Sequence, residues 1–468
     1  MSNVKRQKLD DKVSTARKID SSKLSAWELI ESGDSETLRV KLADLHVSII
    51  NACIYRDDKH YTLLTTASML GQVGCVKALL EYGANKDILC EKVLYTRAVN
   101  ASPIYLASVK GCVEMIKLLL EHGATLNSPT CSPLCGACLA GDIELVKFLI
   151  DLGAEVTFPS VLHRFSQWTS NPLAEAARSG NVELVEYLIS KGADIHCDKR
   201  DQNPLISACS CDRYGVIELL LHHGADIDVQ VEFSEFTCMH QACIDDNVEM
   251  VRFLLDRGAE INILDCDEQT PLAEAFKHND IELLTVLLER GADPDISLIY
   301  TPYRWTPLML AVAEGDTETI ELLLQHGAKV DITMIREGAN DADGILITTP
   351  LLIACEYGQV DALRLLLEHG ADASQQFEFY HYNTPLMYLF RGGLWVVQRY
   401  YGDGEHAHEL EPDRTHDMHG CLKLLLKYGA DVTYTNDEGL TVYDYMEDQP
   451  DVLQIFAEHS VEATPLLK

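Results

Sequence analysis

Apolar and polar positions follow one order again and again along this chain. In TPLLIACEYGQVDALRLLLEHGAD (349–372), a short apolar run is broken by a glycine; apolar residues then return at helical spacing and stop at Gly-Ala. SPIYLASVKGCVEMIKLLLEHGAT (102–125) and WTPLMLAVAEGDTETIELLLQHGAK (305–329) have the same form. The first run, about eight residues long, predicts a helix. Val113, Ile116, Leu119 and Leu120 exemplify the second, whose spacing predicts a further helix ended by a residue in the left-handed region. Each unit is therefore an antiparallel helix pair.

The register is tight within a unit and loose between units. Gly-Ala pairs begin at Gly83, Gly123, Gly153, Gly192, Gly224, Gly258, Gly291, Gly327, Gly370 and Gly429, at uneven intervals. Yet 20 residues before each of the first nine stands a start position: Leu63, Pro103, Pro133, Pro172, Pro204, Cys238, Pro271, Pro307 and Pro350. Before each start lies Thr, Ser or Asn, from Thr62 to Thr349, and Thr384 and Thr441 continue the series. These side chains accept from free backbone N–H groups at a helix start, and proline suits the first helical position. Small residues recur four positions after the start, at Ala107, Ala137, Ala208, Ala242, Ala275, Ala311 and Ala354, where neighbouring helices are expected to approach closely. One helix pair is too small to bury a core, so the units are expected to stack.

TPLLIA, TPLMLA, NPLAEA and LLEHGAD resemble the ankyrin repeat, over about residues 49–458. Only TCMHQA (Thr237–Ala242) keeps the signature histidine. The resemblance implies an all-α solenoid of stacked antiparallel helix pairs with β-turn or hairpin fingers, about ten full repeats in all plus terminal caps. The expected organisation is a tail with a basic motif (1–22), an N-terminal capping repeat (23–48), the repeat array (49–436), a C-terminal capping repeat (437–460) and a short tail (461–468). In the tenth unit the spacing of 20 from start to glycine becomes 44, which places an insertion at about 391–419.

Charge narrows the partners. The sequence carries 73 acidic against 38 basic residues, a formal charge of −35, which repels nucleic-acid phosphates and anionic headgroups. Neither nucleic acid nor membrane is expected as a partner, and proteins with basic surfaces are favoured. No apolar run approaches the ~20 residues of a membrane helix. The 15 scattered cysteines are odd in number and follow no secretory leader, so a reducing compartment, cytoplasmic or nuclear, is expected.

Candidate chemistry is thin. The insertion carries His406, His408, His416 and His419 among carboxylates, but in HELEP (408–412) Pro412 stands where a zinc-protease helix needs its second histidine. Cys135 and Cys138 fall on a first helix, where cysteine serves as a small buried hydrophobe, and His240 between Cys238 and Cys243 is the signature histidine. Nucleophile-elbow, phosphate-loop and kinase words are missing. No metal, cofactor or catalytic residue is assigned, and a metal-dependent enzyme built on the insertion is the alternative of another class.

The resemblance implies a concave face of fingers and first-helix ends that holds other proteins. Spacing puts Trp168, Phe233, Phe236, Tyr303, Trp305 and Tyr380 on fingers, where aromatic residues make interface anchors. Met69, Leu70, Val109 and Leu139 fall at early helix ends, and Asp245, Glu314, Glu356 and Tyr357 at later ones, a change from apolar to acidic. Lys5, Arg6 and Lys8 in VKRQKLDDK resemble a short nuclear-localisation signal of the kind importins read. The expected function is a monomeric, non-enzymatic interaction scaffold; a substrate-recognition adaptor of a ubiquitin ligase is the alternative.

Overall fold

The computed structural model describes residues 21–56, 59–94, 97–128, 132–157, 171–197, 202–231, 234–299, 301, 304–336, 346–376, 384–390, 417–446 and 450–459. The chain divides into two compact units, Met1–Gln241 and Ala242–Lys468.

The first unit opens with α1 (Ser21–Ser32), α2 (Ser35–Ala43) and α3 (Val47–Ile50). A hairpin of β1 (Ile54–Arg56) and β2 (Lys59–Tyr61) leads into the pair α4 (Leu63–Leu70) and α5 (Val73–Glu81). A longer hairpin, β3 (Cys90–Leu94) with β4 (Arg97–Ala101), precedes α6 (Pro103–Val109) and α7 (Val113–Glu121). Three more pairs follow: α8 (Pro133–Ala140) with α9 (Ile143–Asp151), α10 (Pro172–Ser179) with α11 (Val182–Ser190), and α12 (Pro204–Cys209) with α13 (Tyr214–His222). First helices pack on first helices in the order α4, α6, α8, α10, α12. Ala107, Ala137 and Ala208 are wholly buried in these contacts. At Gly136 the approach is closest: a Cβ there would lie 2.7 Å from the carbonyl oxygen of Tyr105.

Helix α14 (Cys238–Ile244) spans the division between the units. The second unit continues with α15 (Val248–Asp256), α16 (Pro271–Ala275) with α17 (Ile281–Glu289), and α18 (Pro307–Glu314) with α19 (Thr317–Gln325). A hairpin of β5 (Met334–Arg336) and β6 (Leu346–Thr348) leads to α20 (Pro350–Glu356) and α21 (Val360–Glu368). Then come α22 (Pro385–Phe390), α23 (Met418–Lys427), a 3-10 turn at Val442–Tyr445 and α24 (Pro450–His459). Helix α20 packs between α18 and α22, and α21 lies between α19 and α23.

Both ends of the helix pairs follow from local chemistry. The side chains of Thr62, Ser102, Ser132, Asn171, Asn203, Thr270, Thr306 and Thr349 each accept a hydrogen bond from a backbone N–H in the first turn of the helix they precede. At the other end, every Gly-Ala closure has the glycine at positive φ. The alanine N–H reaches back five residues, as Ala84 does to Leu79 at 2.9 Å and Ala371 to Leu366 at 3.0 Å. Between the helices, glycine at positions such as Gly71 and Gly315 makes the left-handed turn, but three repeats lack it there. Asp212, Asp246 and Asn279 take its place, at φ 57°, 54° and 52°. Asp and Asn tolerate this region better than other side chains.

Three asparagines hold the next closure in one way. Asn51 Nδ2 donates to the Gly83 carbonyl, and the Asn85 N–H donates to Asn51 Oδ1. Asn127 holds Gly153 and Glu155 in the same manner. In the second unit Asn262 does this for Gly291 and Asp293.

Candidate protein-binding surface

Two consecutive fingers of the second unit form a hydrogen-bonded, exposed surface. In the first, the Asp265 N–H donates to the Gln269 carbonyl at 2.9 Å, and Asp265 Oδ1 accepts from the N–H groups of Asp267 and Gln269 at 2.9 and 2.8 Å. This closed turn puts Glu268 at φ 59° on its tip. In the second finger the Leu298 N–H donates to the Trp305 carbonyl at 2.8 Å, and the Trp305 N–H donates to Thr301 Oγ1 at 2.7 Å. Arg304 stands at φ 51°, with its guanidinium 4.0 Å from the Glu268 carboxylate.

Gln269 ties the two fingers together. Its carboxamide is buried; Nε2 donates to the Ser297 carbonyl at 3.2 Å, and Oε1 accepts from the Ile299 N–H at 3.3 Å. One side chain thus satisfies a donor and an acceptor of the neighbouring backbone, as an adjacent strand would. Over this fixed base, Leu264 is 48% and Ile299 36% exposed. Neither was singled out from the sequence, because a lone aliphatic residue in an acidic turn belongs to no periodic pattern.

The aromatic finger positions divide. Phe236 is turned inward, 7% exposed, with its ring centroid 5.1 Å from that of His240, the buried signature histidine. His240 Nδ1 lies 2.9 Å from Thr237 Oγ1, so it knits the start of α14. Thr65 performs the same task at the start of α4 by accepting from the Thr62 N–H. Trp305 is half-buried in its finger, and Tyr357 is half-buried at the end of α20. Trp168, Phe233, Tyr303 and Tyr380 lie outside the described residues, as do Lys5, Arg6 and Lys8.

The helix ends differ within each unit. In the first unit, Met69 and Val109 pack on a buried cluster of Ala101, Tyr105, Leu106 and Cys135. Leu139 is buried and Leu70 is exposed. In the second unit, Asp245 and Glu314 are exposed, whereas Glu356 is half-buried, and burial raises its carboxyl to about 7.

Among the described residues, no group of three or more His, Cys, Asp or Glu side chains is placed to hold a metal ion, and no helix is long and apolar enough to cross a membrane. Cys135, Cys138, Cys238 and Cys243 are buried free thiols. Burial pushes the Cys138 and Cys243 thiols far up, which keeps them protonated and unreactive. His419 lies in the first turn of α23, while His406, His408 and His416 fall outside the described residues.

Matches to repeat-family descriptions agree with this architecture. The family description "Ankyrin repeats (3 copies)" matches residues 89–160, 134–231 and 230–298, and "Ankyrin repeat" matches 303–335 and 348–376. An ankyrin repeat and KH domain-containing protein of Caenorhabditis briggsae is 33% identical over 95 residues, which is 19% of this chain and 4% of that protein. The chain thus spans a small part of this relative's length. The solved ankyrin repeat domain of Bcl-3, described as a unique member of the IkappaB protein family, is 30% identical at a TM-score of 0.39, covering 47% of this chain and 93% of that one. With capped helix pairs, Gly-Ala closures and repeat matches in both units, the chain belongs to the ankyrin repeat family, whose arrays are protein–protein interaction domains.

Proposed function

We propose that the chain is a non-catalytic scaffold that holds partner proteins on its fingers and first-helix ends. One observation carries this: the two fingers joined through Gln269 are fixed to each other while exposing Leu264 and Ile299. A surface already ordered before binding loses little conformational entropy on docking, and exposed aliphatic side chains on it gain from burial. The acidic excess favours partners with basic surfaces.

Affinity purification with mass spectrometry, comparing the tagged wild-type chain with Leu264→Asp/Ile299→Asp, tests this. Bound proteins should be lost while the melting midpoint stays within about 2 °C, since exposed substitutions cost little stability. An unchanged set of bound proteins would overturn it.

For localisation, Lys5, Arg6 and Lys8 support entry to the nucleus through an importin, with the protein shared between nucleus and cytoplasm. Replacing the three by alanine should empty the nucleus of a fluorescent fusion. Undiminished nuclear signal would remove this part of the proposal.

A further inference from the structure

One position recurs in the connectors: the residue four after a closure glycine meets the next closure. Asn127 and Asn262 stand there, and each does two things. Each accepts from the N–H two residues past the next closure glycine, and donates through Nδ2 to that glycine's carbonyl. Ser374 does both with one hydroxyl, accepting from the Asp431 N–H at 3.1 Å and donating to the Gly429 carbonyl at 3.4 Å. An ionised aspartate can only accept. Asp87 accepts from the Thr125 N–H and Asp295 from the Lys329 N–H. Each has a lysine on its second oxygen, Lys86 at 2.7 Å and Lys329 at 3.2 Å.

Asp331 has neither device. It accepts from the Asp372 N–H and so occupies the same place between its own closure and the next. The positions that supply lysine to the other two aspartates hold Val330 and Asp372 here. Asp331 Oδ1 is sealed from water and has no hydrogen-bond partner among the described residues. Among the described side chains no cation meets it: Lys329 is on Asp295, and His369 Nδ1 lies 2.9 Å from the Leu365 carbonyl. Burial first, then the like charge of Asp372, raise the Asp331 carboxyl above the usual aspartate range, against the pull of the Asp372 N–H.

A carboxylic acid carries the donor that a carboxylate lacks. We propose that Asp331 is a proton-operated latch: with a proton taken from solvent it donates to the Gly370 carbonyl, as Asn262 does to Gly291, and on ionising it releases that carbonyl. The latch lies at the root of the finger built on β5 and β6, so acid should tighten that finger against the closure of α21.

Because its value is raised in the folded state, protonated Asp331 stabilises at low pH, and that contribution is lost as pH rises through the folded value. Urea denaturation of the full chain from pH 4 to pH 8 reads this. Asp331→Asn carries the donor at every pH. Its midpoint should match the wild type at pH 4 and exceed it by about 0.5 M at pH 8. Val330→Lys, which copies Lys86 beside Asp87, should remove the wild type's extra loss between those limits; any packing cost it brings is the same at every pH. The bond itself is read from the carbonyl 13C resonance of Gly370. It should move downfield on acidification of the wild type and stay at that position throughout in Asp331→Asn. A gap between the two proteins that does not change with pH would overturn the latch, as would a Gly370 carbonyl that ignores the titration. Neither readout involves a partner, so the latch and the scaffold reading fail separately.

Discussion

Gln269 and Ser297, 28 residues apart in sequence, are joined by a hydrogen bond of 3.2 Å from Nε2 to the carbonyl oxygen. With the Ile299 N–H on its Oε1, the Gln269 carboxamide bridges two fingers whose tips also carry the Glu268–Arg304 pair, an exposed contact worth little. Gln269→Ala should cost about 1–3 kcal/mol, because it strands a backbone donor and an acceptor. Gln269→Glu should be at least as damaging, since a carboxylate oxygen would face the Ser297 carbonyl. Amide hydrogen exchange at Ile299 reads this directly. Unchanged protection in both variants would show that the bridge does not hold the fingers.

Gly136 separates helix propensity from packing. On an isolated helix, Gly→Ala is stabilising by about 1 kcal/mol. Here the added Cβ would stand 2.7 Å from the Tyr105 carbonyl oxygen and 3.1 Å from the Ser108 Cβ. Helices α6 and α8 would have to part, and overpacking of this kind typically costs 1–3 kcal/mol. Gly136→Ala should therefore lower the urea midpoint; a rise would mean that the interface yields freely.

How much was legible follows from where each constraint sits. The Gly-Ala closures and the Thr, Ser and Asn caps are local: each satisfies backbone groups within five residues, so a constant spacing betrays them. The left-handed turns at Asp212, Asp246 and Asn279 are equally local but break the glycine pattern, and nothing in the spacing replaces it. Gln269 was invisible because its partners lie on another finger. Phe236 turned inward because His240 offers its ring a buried neighbour, a relation that a count of finger positions cannot contain. Glu356 was placed at a helix end from spacing alone, but the burial of its Oε1, which has no hydrogen-bond partner among the described residues, depends on packing between helices.

Glu268 at the finger tip holds φ 59°, a region in which an L side chain crowds its own carbonyl. Glycine is free there but loses more entropy on folding, so the two effects partly cancel. Glu268→Gly should stabilise the second unit by about 0.5–1 kcal/mol. Glu268→Ala, which keeps the Cβ, should gain nothing. Chemical denaturation of the three proteins distinguishes them, and equal midpoints for glycine and alanine would show that the turn carries no strain.

Glu356 also sets a pH dependence of stability with a definite sign. Its folded value of about 7 lies above the model-peptide value of 4.5, so the folded protein holds a proton that the unfolded chain releases between these limits. Its contribution is complete below about pH 4.5, fades as pH rises to about 7, and is gone above. The wild type should therefore lose roughly 2–3 kcal/mol relative to Glu356→Gln across that window, as one pKa unit corresponds to about 1.4 kcal/mol. Denaturation midpoints at pH 5, 6, 7 and 8 give the test. The gap between wild type and Glu356→Gln should widen up to about pH 7 and then stay constant, whereas a constant gap throughout would mean that water or a cation already reaches the carboxylate.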